Sequence, residues 1–170
     1  MATESFRIEG LAGVLDALKK LPPEIVSKAG GPVKHALQAG ANVLRDEAKL
    51  NVRKIIDQPN QSGGDESTGL LLLSIQSKRS RPSMNQRGEA FLVAIRRNQR
   101  YPAKFGKNLT AAQIGRQLEF GTEKRRPMPW LRPAFDAKKQ AATDAFVTAI
   151  RARTQAVIDR VAKQARTKRR

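Results

Sequence analysis

The sequence predicts an α+β fold with N-terminal helices that include one long helix, a small antiparallel sheet, and a long basic C-terminal helix. Three observations support this class. Apolar residues recur every three or four positions in both the first and last thirds of the chain, as on the buried face of a helix. One central stretch has the β-branched, alternating composition of a strand. A hydrophobic fraction of 39% with 5% aromatic residues favours a thin, largely aliphatic core.

A short amphipathic helix is predicted over Gly10–Leu21, and Pro22-Pro23 should end it. A longer helix follows, with Pro32 suited to its first turn and Gly30-Gly31 as a joint before it. The residues expected to share its apolar face are Val33, Leu37, Ala41, Leu44, Ala48, Val52 and Ile55.

The central part of the chain predicts a sheet with long connections. Asp57–Thr68 contains no apolar side chain and indicates a solvated loop. Leu70–Ile75 is a short apolar run that fits a buried strand or a helical turn, and we favour the strand. Glu89–Arg97 is the clearest strand, while Ser77–Gly88 between the two predicts a basic hairpin connection.

The C-terminal half predicts two helices. Thr110–Leu118 should be a short helix with Thr110 as its N-cap and Gly121 just beyond its end. The last helix should start near Pro133. Its predicted apolar stripe consists of Phe135, Ala142, Phe146, Ile150, Val157 and Val161. We expect one domain over residues 1–147 and a basic helical extension over 148–170.

Charge gives the first indication of function. The chain has 33 Lys and Arg against 15 Asp and Glu, a formal net charge of +18, and a pI near 11.2. Such a field attracts polyanions, so nucleic acid, an acidic protein surface or an anionic membrane is the expected partner. The N-terminus lacks the pattern of a signal peptide, and no run is long and apolar enough to span a membrane.

The sequence offers little for catalysis, and we expect no enzyme, cofactor or metal site. His35 is the only histidine, and its setting within the second helix indicates a surface position rather than a triad. Asp46-Glu47 fits a solvated helix face, and Asp65-Glu66 lies in the predicted loop with too few ligands for a hard metal. No zinc-finger, helix-turn-helix or phosphate-binding loop pattern is present.

The most specific motif is Leu118–Phe135, in which Leu-Glu-Phe-Gly-Thr is followed by Pro-Trp-Leu-Arg-Pro-Ala-Phe. Together with the Gly-Leu-x-x-Val-Leu-x-x-Leu-x-x-Leu-Pro helix and the Thr-Gly-x-Leu-x-x-Ser-Ile segment, it resembles the tail-completion or neck proteins of long-tailed double-stranded DNA bacteriophages, the gene-product-ten-like family. The resemblance covers about residues 10–147. The chain departs from it in the basic stretches 78–87 and 96–107 and in its Arg-rich end.

The resemblance implies a structural virion protein that completes the tail and joins it to the head, as part of a homo-oligomeric ring around the DNA channel. A hexamer is one such ring. The implied partners are the head-tail connector, the tail terminator, the tail tube and double-stranded DNA, with no membrane. The implied location is the virion neck, after assembly in the host cytoplasm. A tail terminator ring and a free, non-specific nucleic-acid-binding protein are the alternatives.

Two groups of residues are the candidate contacts. The first should form a rigid elbow or interface and comprises Glu119, Phe120, Gly121, Thr122, Pro129, Trp130, Leu131, Arg132 and Pro133. Its prolines pre-set φ and lower the cost of ordering the chain. The second should meet DNA or an acidic partner and comprises Lys78, Arg79, Arg81, Arg87, Arg160, Lys163, Arg166, Lys168, Arg169 and Arg170.

Overall fold

The computed structural model describes residues 31–58, 68–80, 89–103 and 108–167. In these ranges it contains four helices and a two-stranded antiparallel sheet, which confirms the α+β class. The elements in chain order are α1 (Gly31–Ile56), α2 (Leu70–Ser74), β1 (Ile75–Ser80), β2 (Ala90–Ile95), α3 (Ala111–Phe120) and α4 (Leu131–Thr167). The helix predicted over residues 10–21 lies outside the described residues.

Helices α1 and α4 form an antiparallel pair, which is the largest contact between elements. Asn51, near the end of α1, hydrogen-bonds to Trp130, just before α4. One turn earlier in α1, the Glu47 carboxylate lies 3.6 Å from the Lys138 ammonium, further along α4. At Gly40 the helices are so close that an added Cβ would lie 2.8 Å from the backbone oxygen of Ala142. The long α1 predicted from sequence is therefore confirmed, and a glycine sets its spacing from α4.

The main core lies where α1, α2, α3 and the start of α4 meet. It is a cluster of buried apolar residues, namely Ala48, Val52, Leu71, Ile75, Leu118, Trp130 and Ala134. Most of these residues are small or aliphatic, and Trp130 is the largest of them. The core is thin, as the composition predicts, and one aromatic side chain supplies much of its buried apolar surface.

The sheet differs from the prediction at its first strand. Leu70–Ser74 is a helical turn rather than a strand, with Gly69 before it at φ 66° and the Ser74 hydroxyl donating to the Leu70 carbonyl at 2.6 Å. Leu71 and Ser74 are buried while Leu73 is 74% exposed, which is helical rather than alternating burial. The preference for a strand there was wrong.

Strand β1 instead occupies the start of the predicted hairpin connection. It pairs with β2 from Ile75 opposite Ile95 to Ser80 opposite Ala90. Ser77 faces α1, since its hydroxyl and the Asn42 side-chain oxygen are 2.6 Å apart. The connection assigned to 77–88 is therefore wrong for residues 77–80, and residues 81–88 lie outside the described ranges.

Helix α3 confirms the predicted signals at both ends. Thr110 accepts from the Gln113 amide, and the Gln113 side chain accepts from the Thr110 amide, which completes a capping box. Gly121 follows the helix at φ 76°, where its amide donates to the Gln117 carbonyl.

Helix α4 begins two residues before the predicted start at Pro133. Proline is tolerated there because the first four amides of a helix have no partner within it. Phe135, expected on the buried stripe, is 42% exposed, and the neighbouring Ala134 is fully buried instead. The helix runs without a break through residue 148, and Ile150 beyond it is buried. No helix in the described ranges is long and apolar enough to cross a membrane.

Candidate functional site

The segment from the end of α3 to the start of α4 folds back on itself as a closed elbow, defined here as residues 118–133. A tight turn joins Thr122 and Arg125, whose backbones exchange hydrogen bonds of 2.9 and 3.2 Å. The Met128 amide then donates to the Leu118 carbonyl at 2.8 Å and returns the chain to α3. At Gly121 a Cβ would lie 3.0 Å from the Arg125 oxygen and from Pro127, so the close turn requires glycine.

Glu119 is the polar centre of the elbow. It is 7% exposed, and one carboxylate oxygen accepts from the backbone amides of Trp130 and Leu131, each at 2.9 Å. The other oxygen accepts from the Arg132 amide at 3.1 Å. The first amides of a helix lack intrahelical partners and carry a partial positive charge, so a carboxylate stabilises them. Glu119 thus acts as the N-terminal cap of α4 from a residue outside that helix.

Trp130 joins the elbow to the rest of the core. It is 3% exposed, and its indole N–H donates to the Gly115 carbonyl at 2.9 Å. A Cβ on Gly115 would lie 2.4 Å from a methyl carbon of Ile95 and 3.5 Å from the Trp130 ring, so the glycine lets the Ile95 side chain lie close against α3 beside the ring. The Asn51 amide donates to the Trp130 carbonyl at 3.1 Å and ties the elbow to α1.

The outer side of the elbow exposes aromatic and charged groups. The Arg132 guanidinium lies 4.6 Å from the centre of the Phe120 ring, a cation–π distance, and 3.5 Å from the Glu119 carboxylate. Phe120 is 62% exposed and Phe135 is 42% exposed. Arg132 thus has one exposed ring stacked against it and a second, Phe135, three residues further along its own helix, a composition that interfaces favour.

The structure therefore divides the elbow candidates into two groups. Trp130 and Glu119 are buried, and Gly121 and Leu131 are half-buried in the turn and at the helix start. The exposed members are Phe120, Thr122, Pro129, Arg132 and Pro133. The sequence identified the segment, but it gave no signal that Glu119 caps a helix eleven residues away, since capping signatures are local.

The candidates for DNA contact do not form one cluster in the described residues. Lys78 is exposed on β1, whereas Arg160 and Lys163 are exposed on the distal half of α4. Arg166 lies in α4 without a described side chain, and Arg81, Arg87, Lys168, Arg169 and Arg170 lie outside the described ranges.

Among the candidates with described side chains, Arg79 differs because it has an acidic partner. Its guanidinium makes a two-point ion pair with Glu89, with the Nε bond at 2.7 Å. That hydrogen bond lowers the pKa of Glu89 and raises the pKa of Arg79. A polyanion would have to compete with Glu89 for this arginine.

The other titratable groups have ordinary structural roles. His35 is exposed on α1, as expected. Asp46 is exposed next to Arg45, but Glu47 is only half-buried against α4 through Lys138, so the pair is not simply a solvated face. Burial raises the pKa of the Tyr101 phenol, which is hydrogen-bonded to the Leu71 backbone and the Thr68 side chain. The described residues contain no group of three or more His, Cys, Asp or Glu that could hold a metal ion.

Comparison of the chain with protein-family models, with curated proteins and with solved structures finds no match.

Proposed function

We propose that this protein is a structural subunit of a bacteriophage neck, which completes the tail and joins it to the head as part of a ring around the DNA channel. The observation that carries the proposal is the elbow. The two halves of the motif that resembles the neck family, Glu119–Thr122 and Pro129–Phe135, meet in space through the bonds of Glu119 to the start of α4. A motif with so many internal contacts is suited to presenting a rigid surface.

The exposed side of the elbow supports an interface with a neighbouring subunit. Phe120 and Arg132 are more than half exposed, and Phe135 adds a second exposed ring. Aromatic residues and arginine are enriched at protein interfaces. An aromatic ring buries a large area with few rotatable bonds, and a guanidinium stacks on rings and donates several hydrogen bonds. The turn and the cap hold these groups in place, so little entropy is lost when a neighbour binds.

The charge supports proximity to DNA. The net charge of +18 would make a ring of such subunits repel itself unless a polyanion or acidic neighbours offset it. Arg151, Arg153, Arg160 and Lys163 are exposed along the distal half of α4. Their contact with DNA would be electrostatic and independent of sequence.

Assembly state is the direct test. The purified protein would be examined by light scattering and negative-stain microscopy, alone and with tail and head-connector components of the same virus. We expect rings, either alone or only with those components. A monomer that ignores them and coats DNA would overturn the proposal in favour of a free nucleic-acid-binding protein, which the charge alone favours. Rings that bind tube subunits without any head component would favour a tail terminator.

A pair of variants separates the elbow from general surface hydrophobicity. Phe120→Asp should abolish ring formation, because it places a charge at the proposed interface while the buried cap is untouched. Leu73→Asp is the matched control, since Leu73 is 74% exposed and lies on α2, outside residues 118–133. Equal loss of assembly in both variants, or in neither, would count against the elbow as the interface.

A further inference from the structure

The distal half of α4 carries an apolar stripe that continues past its packing partner. Val147, Ile150, Thr154 and Val157 follow spacings of three and four, which place them on one face of the helix. Ile150 is 2% exposed and the other three are half-buried, while Ile158 beside them is 42% exposed. Three of these four residues are apolar, and Thr154 interrupts the stripe, along a stretch whose other side chains are mostly charged or small.

Within the described part of the chain, α1 does not extend along the whole stripe. Gly40 lies against Ala142, and the helices are antiparallel. Gly31 starts α1 nine residues before Gly40, and the residue nine positions after Ala142 is Arg151. Residues 152–167 therefore extend ~24 Å, at 1.5 Å per residue, beyond the first described residue of α1.

We propose that the part of the stripe beyond α1, namely Thr154 and Val157 with the exposed Ile158 beside them, is the docking face for residues 10–21 of the same chain. Those residues carry Leu11, Val14, Leu15 and Leu18 at the spacing of a helix face. As a helix they would be ~18 Å long, which fits the ~24 Å available. The described chain starts at Gly31, beside the base of the projection, and residues 22–30 can span ~30 Å, so the segment can reach either end of it.

Tethering and charge favour this occupant over a second copy of α4. A short tether gives the segment an effective concentration of about millimolar at the stripe, which no untethered partner matches at ordinary protein concentration. Two projecting helices packed stripe to stripe would bring Arg153 and Arg160 of each copy together, because both flank the stripe, and like charges at that distance repel. The segment itself carries only Asp16, Lys19 and Lys20 as charged residues.

Cross-linking tests the proposal in the full chain. The sequence has no cysteine, so each introduced pair is the only pair of thiols. Leu15→Cys with Val157→Cys should be joined within one chain by a short bis-maleimide, at a rate independent of protein concentration. The matched control is Leu15→Cys with Asp159→Cys, because residue 159 is about 200° round the helix from residue 157. It should link far more slowly.

The other cross-linking outcomes contradict the proposal. Linked dimers would assign the stripe to the segment of a neighbouring copy. Equal rates for the two pairs, or no link in either, would mean that residues 10–21 do not dock there.

A double-mutant cycle provides a second measurement that does not depend on thiol geometry. Leu15→Asp and Val157→Asp should each lower Tm, and the double variant should lower it no more than the larger single change, because either change alone abolishes the same contact. Additive shifts, or no shift from Leu15→Asp, would overturn the proposal.

Discussion

The elbow and the distal half of α4 use their polar residues in opposite ways. In the elbow the buried Glu119 carboxylate accepts hydrogen bonds from three backbone amides, and the Trp130 indole donates one to the Gly115 carbonyl. Along distal α4 the arginines and lysines with described side chains are exposed, and the single described acid, Asp159, bonds Gln155. The polar groups of the elbow are hydrogen-bonded within the chain. The described basic side chains of distal α4 are instead exposed to solvent. We infer that the elbow determines shape and the distal helix determines which partner is attracted.

The largest expected loss of stability comes from a substitution in the core of the elbow. Trp130→Ala should lower the free energy of unfolding by about 3–5 kcal/mol, because it removes a buried ring and the indole hydrogen bond to the Gly115 carbonyl. Chemical denaturation followed by circular dichroism measures it. Leu73→Ala, at a residue 74% exposed, should cost little. An unchanged midpoint in Trp130→Ala would contradict the central place given to this ring.

Removal of the cap should have the next largest effect. Glu119→Ala leaves three amides at the start of α4 without their acceptor, and we expect a loss of about 2–3 kcal/mol, above that of an ordinary N-cap. Glu119→Gln keeps one acceptor oxygen and should lose less. Glu123→Ala is the exposed control in the same segment. If the control were as damaging as Glu119→Ala, the cap would not explain the stability of the elbow.

Charge reversal on distal α4 should affect partner binding and leave the fold intact. Arg160→Glu with Lys163→Glu should reduce the slope of log affinity for DNA against log salt by roughly 2, since each phosphate contact contributes ~0.9. Arg53→Glu with Lys54→Glu makes the same change in net charge at the exposed end of α1. Equal effects from both variants would show that net charge, not the distal helix, controls binding.

The smallest expected effect is a pH dependence at the sheet. The Arg79 hydrogen bond lowers the folded pKa of Glu89 below its ordinary value of 4.5. The pair therefore stabilises the fold above that pH, and its contribution is lost as the pH falls through the lowered value. The stability advantage of the wild type over Glu89→Gln should shrink as the pH falls below 4.5. A difference that stays constant on acidification would contradict this assignment.

The parts of the fold that the sequence predicted are those with local signals. Thr110 and Gly121 mark the ends of α3 through capping chemistry, and Phe91, Val93 and Ile95 alternate as a strand requires. Leu70–Ser74 is too short for periodicity to separate helix from strand, and its core contacts decided the outcome.

The candidate site was predicted only as a segment. The capping role of Glu119 depends on residues eleven to thirteen positions away, and the close approach at Gly115 depends on Ile95, twenty positions away. Both separations are too long for a capping signature or a helical repeat, which are patterns of three or four residues.

The bonds from Glu119 span eleven to thirteen residues, which makes the elbow a local structure despite its place at the centre of the fold. Closing so short a loop costs little entropy, and contacts of low sequence separation form early in folding. We therefore expect the elbow to be complete before α1 and α4 finish pairing. A newly synthesised chain would then expose Phe120 and Arg132 in their final arrangement before α1 and α4 are fully paired. If these residues form the proposed ring interface, subunits could begin to recognise one another before each has finished folding.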